Sequence, residues 1–400
     1  MLELVLWRPD FMNLLRPLQT FVQQRWPLLV AALGLVLLLT SLWGDRAPEG
    51  PAETAGAEAQ SLNILSWEGY PPPALTQQFA EATGINVRVG VLPDPDRLAT
   101  ALLAPNREAY DLVALPLEQV QSLLTEPLPL QAIAPERLET AARVLPPLAA
   151  ITAAYSSANG RQYAWPNVWG SSGLIANRSA LATPITSYQD LCAPEHRDRV
   201  SYSPSFTSLA AAAYALGLDP FEFAAANPED AAGWEQILRQ AYDYLAACRE
   251  NVNVHWRDRL EQIRLMLAEE IALADGWDWT AWTLQRQNPD IQYTVPQEGL
   301  LGWLDVFVIP AEAEHLEAAY AWIDFVSQPE QAAQVLQTTG TLPAVTLAAA
   351  DLDEDFQSLL TETYQGVELT EIHWLPPRSP DLEPVTARYL EQLTALTAGR

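Results

Sequence analysis

The feature that most constrains the fold is an alternation of short apolar strands with helices that begins near Ser61. Leu62–Ser66, Asn86–Leu92 and Tyr110–Leu115 have the apolar or alternating pattern of strands. Pro72–Thr83 and Pro95–Leu103 lie between them and read as helices. The order β-α-β-α-β predicts an α/β fold with a parallel or mixed sheet and helices on both faces. Ligands in such folds bind beyond the carboxyl ends of the strands.

A second α/β block follows Tyr163. Its clearest strand is Leu304–Ile309, LDVFVI, and Ala311–Val326 follows it with the pattern of an amphipathic helix. The chain has 400 residues, of which 49% are apolar. Length and apolar content together indicate two to three domains with buried cores.

Charge and residue content exclude several classes of function. The chain has 50 acidic against 22 basic residues and a net charge of −28, which is unsuited to holding nucleic acid. It contains no lysine, so neither a P-loop nor a Schiff base is expected. Four dispersed histidines do not predict a zinc site, and we expect no cofactor and no metal.

The N-terminal segment reads as a targeting signal. Residues 28–43 are uncharged and nearly long enough to cross a bilayer, and Arg8, Arg16 and Arg25 precede them. We expect a cytoplasmic segment over 1–26, a signal peptide or membrane anchor over 27–43 and a disordered linker over 44–60. The folded body would then lie outside the cytoplasmic membrane, where Cys192 and Cys248 could form a disulfide or remain two buried thiols.

Aromatic residues after strands mark a candidate cleft. Each could be a core residue, but five at comparable places favour aromatic walls, which bind alkyl chains and ammonium groups. Glu68 and Tyr70 follow the first strand, and Asp305 is two residues after Trp303, which puts both on one strand face. The five tryptophans are Trp67, Trp169, Trp277, Trp279 and Trp303.

Five motifs in order resemble the periplasmic polyamine-binding proteins of bacterial ABC importers, within the extracellular solute-binding protein family. They include LNILSWEGYPPPALTQQFAEATGINVRV, YDLVALP, WPNVWGSSGLIANR and the stretch from DGWDWTAW to QVLQTTG, and they cover nearly all of 61–400. The resemblance implies a type II two-lobed fold with crossover hinge strands. It implies an N-terminal lobe over 61–167 and 305–349 and a C-terminal lobe over 168–304 and 350–400.

The resemblance also implies a ligand site and its departures from the family pattern. An acidic pair of the family appears here as Pro204 and Thr207, and two further contacts appear as Leu117 and Gln119. Only Asp305 then remains as a certain anion for an amine, unless Glu68 or Asp278 supplies another. The predicted ligand-binding residues are Trp67, Glu68, Tyr70, Trp277, Trp303 and Asp305.

The expected function is capture of a polyamine or related small cationic amine by a periplasmic, secreted or membrane-tethered protein, which delivers it to a permease. We expect a monomer and no catalysis. The alternatives are a solute-binding protein for another small ligand and a degenerate binding protein acting as a sensor or scaffold. A glycan hydrolase with a carboxylate pair in an aromatic cleft is a further alternative.

Overall fold

Two kinds of element alternate through the folded body, as the sequence pattern predicts. The computed structural model describes residues 61–92, 97–104, 109–124 and 127–397. The strands are β1 Ser61–Trp67, β2 Asn86–Leu92, β3 Leu112–Pro116, β4 Leu130–Gln131, β5 Ser157–Ala158, β6 Arg161–Gln162, β7 Trp165–Asn177, β8 Val200–Ser201, β9 Leu273–Trp277, β10 Ile291–Thr294, β11 Leu301–Pro310, β12 Leu342–Pro343 and β13 His373–Trp374. The α-helices are α1 Pro73–Thr83, α2 Leu98–Leu103, α3 Pro146–Ser156, α4 Phe206–Ala215, α5 Pro220–Ala226, α6 Ala231–Ala247, α7 Arg259–Leu267, α8 Asp278–Gln285, α9 Leu316–Val326, α10 Pro329–Thr339, α11 Glu354–Tyr364 and α12 Glu383–Thr397.

The main sheet is mixed and its central strands are non-consecutive. Its order is β2-β1-β3-β11-β7-β9-β8 within the described residues. Strand β1 pairs in parallel with β2 and β3, whereas β11 runs antiparallel to both β3 and β7. The expectation of a parallel or mixed sheet is therefore confirmed, with β7 and β11 as the two long strands at its centre.

Helices cover both faces of the sheet at each end. Around β1 and β3, α1, α9 and α10 pack on one face and α2 and α3 on the other. Around β9, α4 packs on one face and α7 with α8 on the other. Strands β7 and β11 form a central strip of the sheet. At each end of the sheet, on either side of this strip, helices cover both faces.

Local sequence explains where helices begin and end. Helix α1 starts at Pro73, buries Leu75 and Phe79, and stops at Gly84, whose φ of 75° is a left-handed conformation that glycine adopts without steric cost. Helix α10 ends in the same way at Gly340, with φ 79°. Both ends agree with the sequence pattern.

Strand β7 is much longer than the sequence predicts. Only Leu174–Asn177 has a clear strand pattern, but the strand extends over Trp165–Asn177 and all thirteen residues are buried. The preceding stretch contains Pro166, Gly170 and Gly173, which are weak strand formers. Pairing to β11 and β10 on one edge and to β9 and β12 on the other outweighs that weak local preference.

The expected lobe boundaries fall inside the two long strands. Residues 167 and 168 are consecutive in β7, and residues 304 and 305 are consecutive in β11. The division into lobes over those ranges stays a prediction.

The N-terminal expectations lie outside the described residues: the cytoplasmic segment over 1–26, the signal or anchor helix over 27–43 and the linker over 44–60. In the ranges that are described, no helix has both the length and the apolarity that a membrane span requires.

Cys192 and Cys248 form a disulfide, which decides between the two alternatives the sequence left open. The bridge joins the short 3-10 helix Tyr188–Cys192 to the residue that follows α6. It closes a segment with a sequence separation of 56.

Candidate ligand-binding site

Strand register places three of the predicted residues on one face of the sheet. In the β11–β7 ladder, Trp303 is opposite Gly170, and Asp305 lies two residues further along β11. In the β7–β9 ladder, Trp277 is opposite Ser172, two residues from Gly170. Paired residues share a face, as do residues two apart on one strand. Trp277, Trp303 and Asp305 therefore all belong to the same side of the central strip.

The Trp303 indole lies against the backbone of Gly170. A Cβ atom at position 170 would overlap the six-membered ring of Trp303, including Cζ2 and Cε2. Glycine at this position thus lets the indole lie directly over β7, where its ring can form a wall of the strip. The bare backbone at Gly170 therefore decides the position of Trp303.

Replacing Gly170 with Ala should displace that indole. We expect a loss of about 1–3 kcal/mol in the free energy of unfolding, because a rigid ring must move out of a filled space. Amine affinity should fall several-fold at the same time. Chemical denaturation and calorimetry measure the two effects.

The double variant Gly170→Ala with Trp303→Leu is the matched control. If the ring overlap causes the loss, the alanine should cost much less stability in the Trp303→Leu background, a non-additive result. Equal costs in both backgrounds would contradict the assigned contact.

Asp305 is a buried carboxylate on the same face of the sheet as Trp303. It is 8% exposed and lies in register with Pro116 at the end of β3. Its pKa is raised to about 7, mainly by burial and to a smaller extent by the negative charge of Glu118. The indole N–H of Trp67 faces the carboxylate and acts in the opposite direction, although the contact falls short of hydrogen-bond geometry. A positive ligand here would relieve an unfavourable local charge.

Glu118 is the site residue that sequence reasoning missed. It lies two residues after Pro116, in the 3-10 helix Leu117–Leu123, and it is 8% exposed. Asp305 is therefore not the only acidic side chain at this edge of the sheet, because Glu118 lies close enough to raise its pKa. The sequence signal that could have identified it is an acidic residue shortly after the strand Tyr110–Leu115.

Arg378 connects the C-terminal part of the chain to Glu118. Its backbone N–H donates to the Glu118 carbonyl oxygen at 2.8 Å, and its guanidinium nitrogen is 3.5 Å from the Glu118 carboxylate. The contact joins residues that the sequence assigns to different lobes. It also lowers the net negative charge beside Asp305.

Trp67, Glu68 and Tyr70, at and just after the end of β1, differ in burial and in the contacts they make. Trp67 is half-buried and stacks on Tyr70, with ring centroids 5.3 Å apart. Tyr70 is 1% exposed and its hydroxyl donates to Asn167 Oδ1 at 2.7 Å, so its observed role is to support Trp67. Glu68 is exposed to solvent. Ligand contact by these three residues stays a prediction.

Trp277, on β9, lines two cavities. It stacks on Trp279 and meets Trp256 edge to face, with centroids 5.9 and 5.4 Å away. One cavity, of about 240 Å³, lies over the ends of β8 and β9. The other, of about 450 Å³, reaches from Trp277 to Glu118 and Arg378. Trp277 thus lines both spaces.

Asp278 does not supply a second anion to this face. Its carboxylate accepts hydrogen bonds from the Ser171 N–H at 3.0 Å and the Tyr364 hydroxyl at 2.5 Å. Ser171 and Ser172 are adjacent in β7, so they point to opposite faces of the sheet. Burial raises the pKa of Asp278 to about 6. The expectation that Asp278 could hold the far amine is not supported.

Within the described ranges, no group of three or more His, Cys, Asp and Glu side chains is arranged to hold a metal ion.

Comparison with known proteins agrees with this architecture. The structure superimposes on a spermidine/putrescine ABC transporter substrate-binding protein of Streptococcus pneumoniae with a TM-score of 0.70 and 21% identity, covering 84% of this chain and 99% of the other. The fold is thus that of a two-lobed periplasmic binding protein. The chain belongs to the bacterial extracellular solute-binding protein family, whose model matches residues 74–361.

Two curated relatives carry names from the same group. The spermidine/putrescine-binding periplasmic protein of Salmonella typhimurium is 25% identical over 353 residues, which is 88% of this chain and 95% of the relative. The protein of that name in Escherichia coli is 27% identical over 293 residues, covering 73% and 79%. Both are similar to this chain along most of their length.

Proposed function

We propose that this protein is the substrate-binding component of an ABC importer and captures a polyamine or related small cationic amine. The observation that carries the proposal is the pair of buried carboxylates, Asp305 and Glu118, beside the indoles of Trp67 and Trp303. An ammonium group gains a charge-assisted hydrogen bond from a carboxylate and cation–π attraction from an indole.

The aromatic walls suit the alkyl part of such a ligand. Trp303 and Trp277 belong to the same face of the sheet, on strands separated by β7. Burying four methylene groups between such rings contributes about 3 kcal/mol. Amine recognition by Asp305 and alkyl recognition by the indoles would therefore act together.

Capture would proceed by closure of two lobes over the amine. Strands β7 and β11 are continuous across the expected lobe boundaries, so they are suited to act as hinges. A ligand that contacts both lobes binds the closed form better and shifts the population toward it. The closed form would be the one that a membrane permease recognises, and no covalent step is involved.

The names of the relatives support location outside the cytoplasm, since both are periplasmic proteins. The disulfide between Cys192 and Cys248 supports it independently, because such bonds persist in oxidising compartments. Whether the protein is released or tethered depends on residues 1–60, where we expect a signal peptide or membrane anchor.

Titration calorimetry of the purified folded body with putrescine, spermidine and butylamine tests the proposal. We expect saturable binding of at least one of them at micromolar or lower concentration. Absence of binding by all three, together with no thermal shift, would favour the sensor or scaffold alternative.

Amine affinity should depend on pH through Asp305. Its pKa is raised to about 7 in the unliganded protein, and the amine must meet the ionised form. We therefore expect an affinity that is constant between pH 8 and 9 and falls toward about tenfold per unit below pH 7. Calorimetry across pH 5 to 9 measures this profile.

Glu118→Gln provides the control for that profile. Removing the negative charge of Glu118 removes one cause of the raised pKa of Asp305, so the midpoint should move to lower pH. A midpoint that does not move, or an affinity independent of pH, would contradict the role of Asp305.

A further inference from the structure

The 240 Å³ cavity beside Trp277 is rich in hydrogen-bond donors. It lies where the resemblance to polyamine-binding proteins places an acidic pair, but Pro204 and Thr207 occupy those positions. Its other polar lining residues are Ser172, Ser203, Ser205, Arg257 and Asp275. Arg257 is an exposed cation at the edge of the cavity. This lining differs from what a second ammonium group would require.

The positive end of a helix adds to this donor character. Helix α4 begins at Phe206, and its N-cap Ser205 accepts a hydrogen bond from the Ser208 N–H. Ser205 and Thr207, in the first turn, both line the cavity. The N-terminus of a helix carries a partial positive charge and free N–H groups, and it favours anionic groups.

Ser172 is an independent sign that the cavity holds a ligand group. It is 5% exposed, it lies opposite Trp277 in the β-ladder, and it lines the cavity. Its backbone carbonyl accepts a hydrogen bond from the Tyr188 hydroxyl, whereas its own hydroxyl makes no hydrogen bond within the part of the chain that the structure describes. Because Ser172 lines the cavity, this hydroxyl is available to donate to a ligand atom there.

Asp275 is the one carboxylate in the lining, and donors already surround it. It accepts from the Ser203 N–H at 3.3 Å, from the Trp256 indole N–H at 2.9 Å and from the Ser208 hydroxyl. These bonds hold the carboxylate within its own half of the sheet. It is therefore poorly placed to take a second ammonium group in addition.

We propose that the ligand carries an oxyanion at the end opposite its amine, as an ω-amino acid does. The inference rests on the proposed function, because the amine end would still bind at Asp305. The carboxylate would take donors from Ser172, Thr207 and Arg257. A diamine would place its second cation next to Arg257 and the positive end of α4.

The separation along the sheet sets the length of the ligand. Val168 is paired with Asp305, and Ser172 lies four residues further along β7. At about 3.3 Å per residue, the backbone positions of Val168 and Ser172 are about 13 Å apart. The side chains of Asp305 and Ser172, and their hydrogen bonds to the ligand, take up part of this distance. The length that remains for the ligand suits a chain of about four to six carbons.

A matched ligand series tests the inference. Titration calorimetry would compare 4-aminobutanoate, 6-aminohexanoate, putrescine, cadaverine and butylamine under one buffer condition. We expect an ω-amino acid to bind at least tenfold more tightly than the best diamine. A diamine that binds more tightly overturns the inference and leaves the proposed function intact, whereas failure of every amine overturns both.

Two variants identify the groups that recognise the oxyanion. Arg257→Gln should weaken binding of the preferred ω-amino acid about tenfold and leave butylamine unchanged, and Arg239→Gln on the exposed face of α6 is the matched control. Thr207→Glu should reverse the preference toward a diamine. Unchanged preference in both variants would contradict the assignment, and a thermal melt establishes that each variant is folded.

Discussion

Replacing Asp305 with Asn is expected to weaken amine binding about a hundredfold while making the unliganded protein more stable at pH 8. The loss of affinity follows because truncating one partner of a buried charge pair costs about 2–5 kcal/mol. The gain in stability has a different origin. Burial raises the pKa of Asp305 to about 7, well above the value in the unfolded chain, so ionisation in the folded state is costly.

The sign of the stability effect depends on pH. Between about pH 4 and pH 7 the unfolded chain is ionised at Asp305 while the folded state stays protonated, so the cost to folding builds up over this range. The cost is absent below about pH 4, where both states are protonated, and complete above about pH 7. A shift of about three pKa units corresponds to about 4 kcal/mol, from which an imperfectly bonded amide subtracts 1–2 kcal/mol. Urea denaturation should therefore show Asp305→Asn more stable by about 2 kcal/mol at pH 8 and less stable than the parent protein by about 1–2 kcal/mol at pH 4, where only the amide cost remains.

Asp243→Asn is the matched control for both measurements, because Asp243 is an exposed residue of α6. It should change neither affinity nor stability appreciably. If Asp305→Asn binds amines as well as the parent protein does, Asp305 is not the amine-binding carboxylate. If that variant is less stable at pH 8, the carboxylate has a stabilising partner in solution.

Removing the disulfide is expected to give the largest loss of stability. Cys192 and Cys248 are separated by 56 residues, and closing a loop of that size stabilises a protein by about 4 kcal/mol on the chain-entropy model. The double variant Cys192→Ser with Cys248→Ser should melt about 5 °C lower in a protein of this size. Differential scanning calorimetry measures this change.

A reducing agent provides the control for the disulfide. Dithiothreitol should lower the melting temperature of the parent protein and leave the double Ser variant unaffected. Amine affinity at 20 °C should be the same in both proteins, since neither cysteine lines the cavities around Trp277. A parent melting temperature that does not respond to reduction would show that the bond adds little stability.

The carboxylate pair extends the sequence interpretation of the site. Asp305 was predicted because its distance of two residues from Trp303 on an apolar strand puts both side chains on one face. Glu118 could not be predicted in this way, because its proximity to Asp305 depends on the antiparallel pairing of β3 with β11. These strands are almost two hundred residues apart in the chain, and no local pattern reports their register.

Tyr70 and Asp278 are residues for which the sequence suggested a ligand-binding role, whereas their side chains bind other groups of the protein. Both have residue types suited to an amine site, and both follow a strand. In the structure Tyr70 donates to Asn167 and lies behind Trp67, and Asp278 accepts hydrogen bonds on the opposite face of the sheet. Residue type and distance from a strand end do not establish which side of the sheet a side chain occupies.

The amino-acid sequence by itself determined the α/β alternation, the position of most strands and helices, and the aromatic and acidic residues that could serve an amine. It could do so because apolar periodicity and helix start and stop residues are local properties of the chain. The tertiary structure alone decided the length of β7, the disulfide, the proximity of Glu118 to Asp305 and the donor-rich cavity beside Trp277. Each of these depends on contacts between residues far apart in the chain, whose register follows from packing the whole sheet.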